Sequence, residues 1–201
     1  MKYVITADQK FYFDKHHSIE FENLLSDKEL AILKKAPLSL RDSIRTNPEV
    51  KKIVLSSRFV QIAKELTCAK TLRFGFDQLY TLPMKGEGLK TLQEMSAISP
   101  LACGFTICLE GESERQTSPN NAPFVEPFAQ KPGNVVFFKP DARWDLSSFV
   151  ERQKQKFLLV AFAELVSLYV YQEQDPFTHT LKQLGYVFGD RLCEKWHPRL
   201  I

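Results

Sequence analysis

The sequence predicts an α+β chain that is mainly β: helices first, then a β-rich body, then a helix at the end. Three observations predict it. Between residues 26 and 66, apolar residues recur at helical spacing behind capping residues. After residue 70 the pattern turns to strand-like alternation and short apolar runs. From Asp175 the cap-and-period pattern of a helix returns.

The elements are justified in order along the chain. "MKYVITADQKFYFDK" predicts a short β-hairpin, with Val4 and Ile5, then Phe11 and Phe13, flanking the turn-forming Asp8-Gln9. "LLSDKELAIL" opens a helix. Ser26 and Glu29 form an S-x-x-E capping box, and Leu25 with Leu30 fits a hydrophobic staple. Leu30, Leu33 and Ile32 then face a core. Asn47 caps the next helix, Pro48 fits its first position, and Val50, Ile53 and Val54 follow. Ser56 or Ser57 restarts a further helix carrying Phe59, Ile62, Ala63 and Leu66.

"TLRFGFDQLYTLP" reads as a strand ended by Pro83, and "GEGLKTLQEMSAISP" as a turn and an extended segment. In "LACGFTICLEG" period two places Leu101, Cys103, Phe105, Ile107 and Leu109 on one face. Ala102, Gly104, Thr106 and Cys108, all small, share the other. Such a small face lines a cavity or meets bulky neighbours, and the second reading is preferred. "GESERQTSPNNAPFVEPFAQKPG" is a long polar loop, of a length often functional. "NVVFF" and "KFLLVAF" are buried-strand runs. The final helix is capped by Asp175 and begun by Pro176, with Leu181, Leu184, Val187 and Phe188 as its apolar face. No repeat or linker interrupts the chain, so residues 1–201 read as one domain.

Composition narrows the function classes. With 201 residues, the chain is long enough to bury a core without staples, and 16 Phe predict an aromatic one. The net charge of +3 and pI near 8.6 come from scattered Lys and Arg, which argues against a nucleic-acid partner. The four cysteines at 68, 103, 108 and 193 make no C-x-x-C, so neither a zinc knuckle nor a dithiol motif is supported. The longest near-apolar run, Phe157 to Tyr171, is too short for a membrane span and contains Glu164. The N-terminal residues show no signal-peptide pattern, and a cytoplasmic location is expected. Neither G-x-S-x-G nor a phosphate-binding glycine loop occurs.

The order of these segments resembles that of the Fe(II)/2-oxoglutarate-dependent oxygenases, especially phytanoyl-CoA-dioxygenase-like members, from about Phe21 to Phe162. "FENLLSDKELAIL" resembles the family's opening, and "NPEVKKIVLSSRFVQIAKELTCAKTLRFGFDQLY" its second helical stretch and first core strands. "YTLPMKGEGLKTLQEMSAISP" resembles the approach to the metal motif. "LACGFTICLEG" is similar to the strand after it, and "PGNVVFFKPDARW" to the Pro-Gly-led strand that ends at the distal histidine. The same order is similar to that of chlamydial proteins of this shape. The resemblance implies a double-stranded β-helix, a jelly-roll (cupin-like) barrel with N-terminal supporting helices.

The family's chemistry needs a His-x-Asp/Glu pair and a distant His around Fe(II), with open positions for 2-oxoglutarate and oxygen. None of the four histidines, His16, His17, His179 and His197, is followed two residues later by Asp or Glu. The resemblance places Leu92 at the His position, Glu94 at the carboxylate position, and Trp144 or Asp145 at the distal His position. It also implies a basic anchor for 2-oxoglutarate, for which Lys154 and Lys156 are the candidates. Strand parity puts both with Leu158, Val160 and Phe162. Tyr80 matches a position that often contacts the cofactor, though a core tyrosine is the plainer reading.

The expectation is therefore an oxygenase-like scaffold with a degenerate metal site and no cofactor. It would bind a small molecule or a protein through the barrel mouth or the loop at residues 111–131. One alternative is an active enzyme with Fe(II) and 2-oxoglutarate at a displaced site, using Glu94, Asp145 and one of the four histidines. Another is a jelly-roll interaction domain of lectin or capsid type.

Overall fold

The structure, a computed structural model, describes residues 4–84, 86, 88–111, 125–149 and 154–201. The first element is a helix, α1 (Ala7–His16), and not a hairpin. Thr6 Oγ1 accepts the Gln9 amide at 3.2 Å, and Gln9 Oε1 accepts the Thr6 amide at 3.0 Å, a complete capping box. The alternation of Phe11 and Phe13 imitates a strand. In the helix only Phe13 is buried, and Phe11 stays 69% exposed.

After a left-handed turn at His17, the chain enters β1 (Ser18–Phe21). Helix α2 (Asp27–Lys35) begins at the expected box: Ser26 Oγ accepts the Glu29 amide, and Glu29 Oε2 the Ser26 amide. Leu33 is fully buried, with Leu30 and Ile32 packed partly against the same core. The short α3 (Ser43–Thr46) is capped from a distance. The Asp77 carboxylate accepts the amides of Ser43 and Ile44, both at 2.9 Å. Asn47 caps α4 (Pro48–Val54) as expected, and α5 (Ser57–Thr67) buries Phe59, Val60, Ile62, Ala63 and Leu66.

The remaining strands are β2 (Leu72–Leu82), β3 (Leu89–Thr91), β4 (Ile98–Glu110), β5 (Val135–Phe138), β6 (Arg143–Asp145), β7 (Gln155–Tyr169) and β8 (Arg199–Leu200). Six form one antiparallel sheet in the order β1-β5-β4-β7-β2-β8, and β3 pairs with β6 in a second layer. This is the expected mainly β, α+β architecture, a curled antiparallel sheet backed by N-terminal helices.

The six-stranded sheet is buried on both faces, so its strands feed two cores. Against the helices, Phe105 packs on Phe59, Phe137 and Phe162 at ring distances of 5.0, 5.0 and 5.4 Å. The other face, toward β3 and β6, gathers Phe76, Phe128, Phe138, Trp144, Phe149 and Phe157. Strand β4 sorts Cys103, Phe105, Ile107 and Leu109 to the helix side, as its period requires. Leu101 departs from them. Register shifts on both sides of it, against β7, turn it into the inter-sheet core.

The C-terminal helix does not form. Residues 172–198 are turns around a five-residue 3₁₀ segment, Thr180–Leu184. Gly185 and Gly189 take φ of 90° and 97°, which stop any helix. The intended apolar face is split: Leu181 is buried while Val187 is 64% exposed. Asp175 caps no helix but is buried as an anchor. It receives Arg41 through Nη1 and Nη2 at 3.3 Å each, the Ala97 amide at 2.9 Å and the Phe177 amide at 2.9 Å. Arg41 also donates to Gln78 Oε1 at 2.9 Å and lies 3.7 Å over the Phe76 ring.

This pair joins four distant stretches of chain. Asp175→Ala would strand a buried guanidinium and is expected to cost about 3–5 kcal/mol in urea unfolding. Arg41→Met combined with Asp175→Leu is expected to recover a large part of that loss. A cost below about 1 kcal/mol for the single variant would remove the anchoring role.

Candidate functional site

The positions that the family resemblance assigns to the metal ligands lie on and beside the two-stranded sheet. Leu92 follows β3 directly and Trp144 stands on β6; each is 1% exposed. Gly104 faces them from β4. A Cβ added at Gly104 would lie 2.5 Å from the Phe138 ring and 2.7 Å from Leu92 Cδ2. Phe138 meets the Trp144 ring edge-on at 5.1 Å, and Phe128 links Trp144, Phe149 and Phe157 at 6.2, 5.0 and 4.6 Å. At Gly104 the small face of β4 thus meets bulky neighbours.

The two carboxylates are occupied locally. Glu94 is exposed and closes its own turn, accepting the Thr91 amide at 2.9 Å while Thr91 Oγ1 accepts the Glu94 amide at 3.1 Å. Asp145 accepts the amide and the hydroxyl of Ser147 at 3.1 and 2.5 Å. Lys154 is exposed. Lys156 is half-buried and shares its parity with Leu158, Val160 and Phe162, which belong to the helix-side core. The inter-sheet face of β7 carries Phe157, Leu159, Ala161 and Ala163. Tyr80 lies at the rim of that interior, its ring 5.9 Å from Phe128, and burial pushes its phenol up to about 12.

The histidines lie apart from this space. His16 packs on Tyr12, and His17 holds the left-handed turn after α1. His179 joins Tyr171 and Phe188 in an aromatic group. His197 is buried with both ring nitrogens engaged, Nδ1 with the Phe74 carbonyl at 3.0 Å and Nε2 facing Arg45 Nη2 at 3.4 Å. That geometry assigns the proton to Nδ1. Cys193, four residues earlier, turns its sulfur to the Tyr186 hydroxyl at 3.1 Å, so it forms no metal pair with His197.

The donor set can be tested against iron directly. Among the described residues no three His, Cys, Asp or Glu side chains gather as a metal cluster. The buried polar atoms without partners in this half of the molecule are Trp144 Nε1 and Gln155 Nε2. Both are N–H donors, and a metal needs lone pairs. The described residues at this place do not fit the family's Fe(II) centre.

Two features were not singled out from sequence. The Arg41–Asp175 anchor has no local signal, because its members are 134 positions apart. An open groove of about 820 Å³ beside α1 and β1, lined by Glu20, Glu22 and Lys131 among others, carried only scattered charges in the sequence. The loop expected at residues 111–131 lies largely outside the described residues. Of its described part, Phe128 and Ala129 are buried, and the Pro127 carbonyl accepts the Thr106 hydroxyl.

No protein-family model matches the chain, and no curated protein matches it. Solved structures do. The α-ketoglutarate-dependent carbocyclase SnoK of nogalamycin biosynthesis superposes with a TM-score of 0.72 at 12% identity, covering 98% of this chain and 97% of its own. EctD from S. alaskensis, solved with 2-oxoglutarate and 5-hydroxyectoine, matches at TM-score 0.59 and 15% identity over 80% of this chain and 77% of its own. CT296 from Chlamydia trachomatis is 22% identical, with a TM-score of 0.51 over 81% of this chain and 97% of its own. The chain has the fold of the 2-oxoglutarate oxygenases, as its segment order implied.

Two outcomes follow from this packing. Trp144→Ala removes a ring from a filled interior and is expected to cost about 3–5 kcal/mol, read by urea unfolding; a variant as stable as the parent would mean a pocket there. Burial, then Arg45, pushes His197 down to about 3. The unfolded imidazole binds its proton near pH 6.5, so stability falls as pH drops from about 6.5 toward 3. Burial holds Asp77 up at about 6, and its contribution runs the opposite way, lost as pH rises from about 4 through 6. His197→Gln is therefore expected to remove up to about 1.4 kcal/mol per pH unit of acid sensitivity while leaving the Asp77 part intact. Parallel pH profiles for parent and variant would sink this assignment.

Proposed function

We propose that this protein is a non-catalytic binding scaffold with the 2-oxoglutarate oxygenase fold and a degenerate metal site. The observation that carries the reading is the packing at Gly104, where Leu92, Phe138 and Trp144 take the space a metal and its cofactor would need. Fold alone does not assign chemistry; the site must supply it. On this reading Glu94 is a turn-closing residue, and Asp145 caps the turn at Ser147. Lys154 is a solvated lysine just before β7, Lys156 a half-buried one on the helix-side face of β7, and Tyr80 a core tyrosine at the rim of the interior. The ligand is a small molecule or another protein, and the location cytoplasmic. No described helix is long and apolar enough to cross a membrane.

A second reading rests on the neighbours. SnoN, 11% identical, was solved with Fe3+, α-ketoglutarate and nogalamycin RO, and EctD with bound Fe. An active oxygenase here would have to bring a histidine to Glu94 or Asp145, and the partners of His197 argue against that rearrangement.

Anaerobic calorimetry decides between them. Metal-stripped protein titrated with Fe(II) or Mn(II), with and without 2-oxoglutarate, is expected to give no saturable heat. Glu94→Ala is expected to change stability by less than about 0.5 kcal/mol. One-to-one binding that Glu94→Ala abolishes would establish the enzyme reading instead.

A further inference from the structure

Strand β1 is one edge of the six-stranded sheet. Its ladder with β5 pairs Ser18 with Phe138 and Glu20 with Val136, and the Lys139 amide donates to the His17 carbonyl at 2.9 Å. In an antiparallel pair, bonded and non-bonded residues alternate. His17, Ile19 and Phe21 therefore turn their backbone groups toward β5, and Ser18 and Glu20 turn theirs away. Among the described residues, the outward amides and carbonyls of Ser18 and Glu20 meet no hydrogen-bonding partner.

That edge does not face flat solvent. Ile19 and Glu20 of this strand line the open groove of about 820 Å³ together with Asp8, Gln9 and Tyr12 of α1 and with Gln130 and Lys131. A cleft of this size admits several residues of an extended chain. Among the described residues that line it, the carboxylates are Asp8, Glu20 and Glu22 and the ammonium is that of Lys131. Glu20 is fixed in place by the Asn134 side-chain amide at 2.9 Å and the Gln130 backbone amide at 3.4 Å. Tyr12, 47% exposed, offers a ring face to a cationic stem.

We propose that this groove binds a basic, extended peptide segment of another protein, which adds as a strand to the free edge of β1. Ser18 and Glu20 bond its backbone, and Asp8, Glu20 and Glu22 select its Lys or Arg side chains. An unpaired edge recognises backbone, and the flanking side chains set the sequence. A second copy of this chain is the wrong occupant. Edge-to-edge pairing of two β1 strands would bring the Glu20 and Glu22 carboxylates of both copies together, and like charges opposed across a ladder are destabilising. The inference concerns a surface outside the inter-sheet interior, so it stands or falls independently of metal binding there.

The test uses the full chain and three labelled peptides of equal length, read by fluorescence anisotropy. One alternates Lys with Val, the second alternates Glu with Val, and the third alternates Lys with Pro. The Lys-Val peptide is expected to bind saturably and more weakly as salt rises. The Lys-Pro peptide keeps the charge but loses backbone donors, and is expected to bind roughly tenfold more weakly. The double variant Asp8→Asn/Glu22→Lys alters two exposed side chains, leaves the ladder intact, and is expected to lower Lys-Val affinity roughly tenfold. Circular dichroism checks that it folds. Equal binding of Lys-Val and Lys-Pro would mean ionic attraction without strand addition and would overturn the proposal. So would equal binding of the Glu-Val peptide, indifference to the double variant, or no binding of the Lys-Val peptide.

Discussion

The missing side chain at Gly104 is the constraint on which the inter-sheet interior depends. Strand β4 is the centre of the six-stranded sheet, held by β5 on one side and β7 on the other. Its helix-side face can carry Phe105, because the helices leave room for a ring between Phe59 and Phe162. Its opposite face cannot carry even a methyl at residue 104, because Phe138 and Leu92 close over the backbone there. One strand thus sets the depth of both cores, and beside residue 104 the inner core is filled by Phe138 and Leu92. Interiors packed to crystal-like density leave few voids as large as a water.

The chain shares a fold with SnoK over nearly its whole length, and on the proposed reading that scaffold carries a hydrophobic layer in place of an iron site. Imidazole and carboxylate ligands suit iron, whereas Leu92 and Trp144 are both buried in the inter-sheet core. The same geometry therefore yields either a metal centre or a hydrophobic layer, and hydrophobic burial stabilises the second without any ligand. The Glu94 carboxylate finds its hydrogen bond within its own turn, as an exposed acid beside a threonine amide should.

Local signals were legible wherever chemistry is local. The Ser26/Glu29 box and the Asn47-Pro48 start each act within a few residues and form as read, and the β4 alternation holds from Cys103 to Leu109. The reading failed where two local signals competed. Thr6 and Gln9 make a capping box as complete as the one at Ser26, but the aromatic alternation at Phe11 and Phe13 drew attention to strand periodicity. At the C-terminus, Asp175-Pro176 is a sound helix start, yet the carboxylate is claimed by Arg41 from across the molecule, and Gly185 and Gly189 were visible as breaks. The register shift at Leu101 left no mark in sequence, since a bulge is a property of the pairing and not of one strand.

At the candidate site residue identities were legible and side-chain directions were not. The absence of histidine from the expected positions could be read residue by residue, but where the lysines point could not. Parity placed Lys154 and Lys156 with Leu158, Val160 and Phe162; only the sheet's two-sided packing tells that those residues face the helices. The β1 groove was beyond reach for a related reason. Its acids come from α1, β1 and the turn after it, and its free backbone edge exists only because β5 takes the other side. An edge strand flanked by carboxylates is normally protected from its own copies by that charge. The same charge that repels a second copy attracts a cationic strand, so one arrangement both prevents self-association and defines the chemistry of a partner.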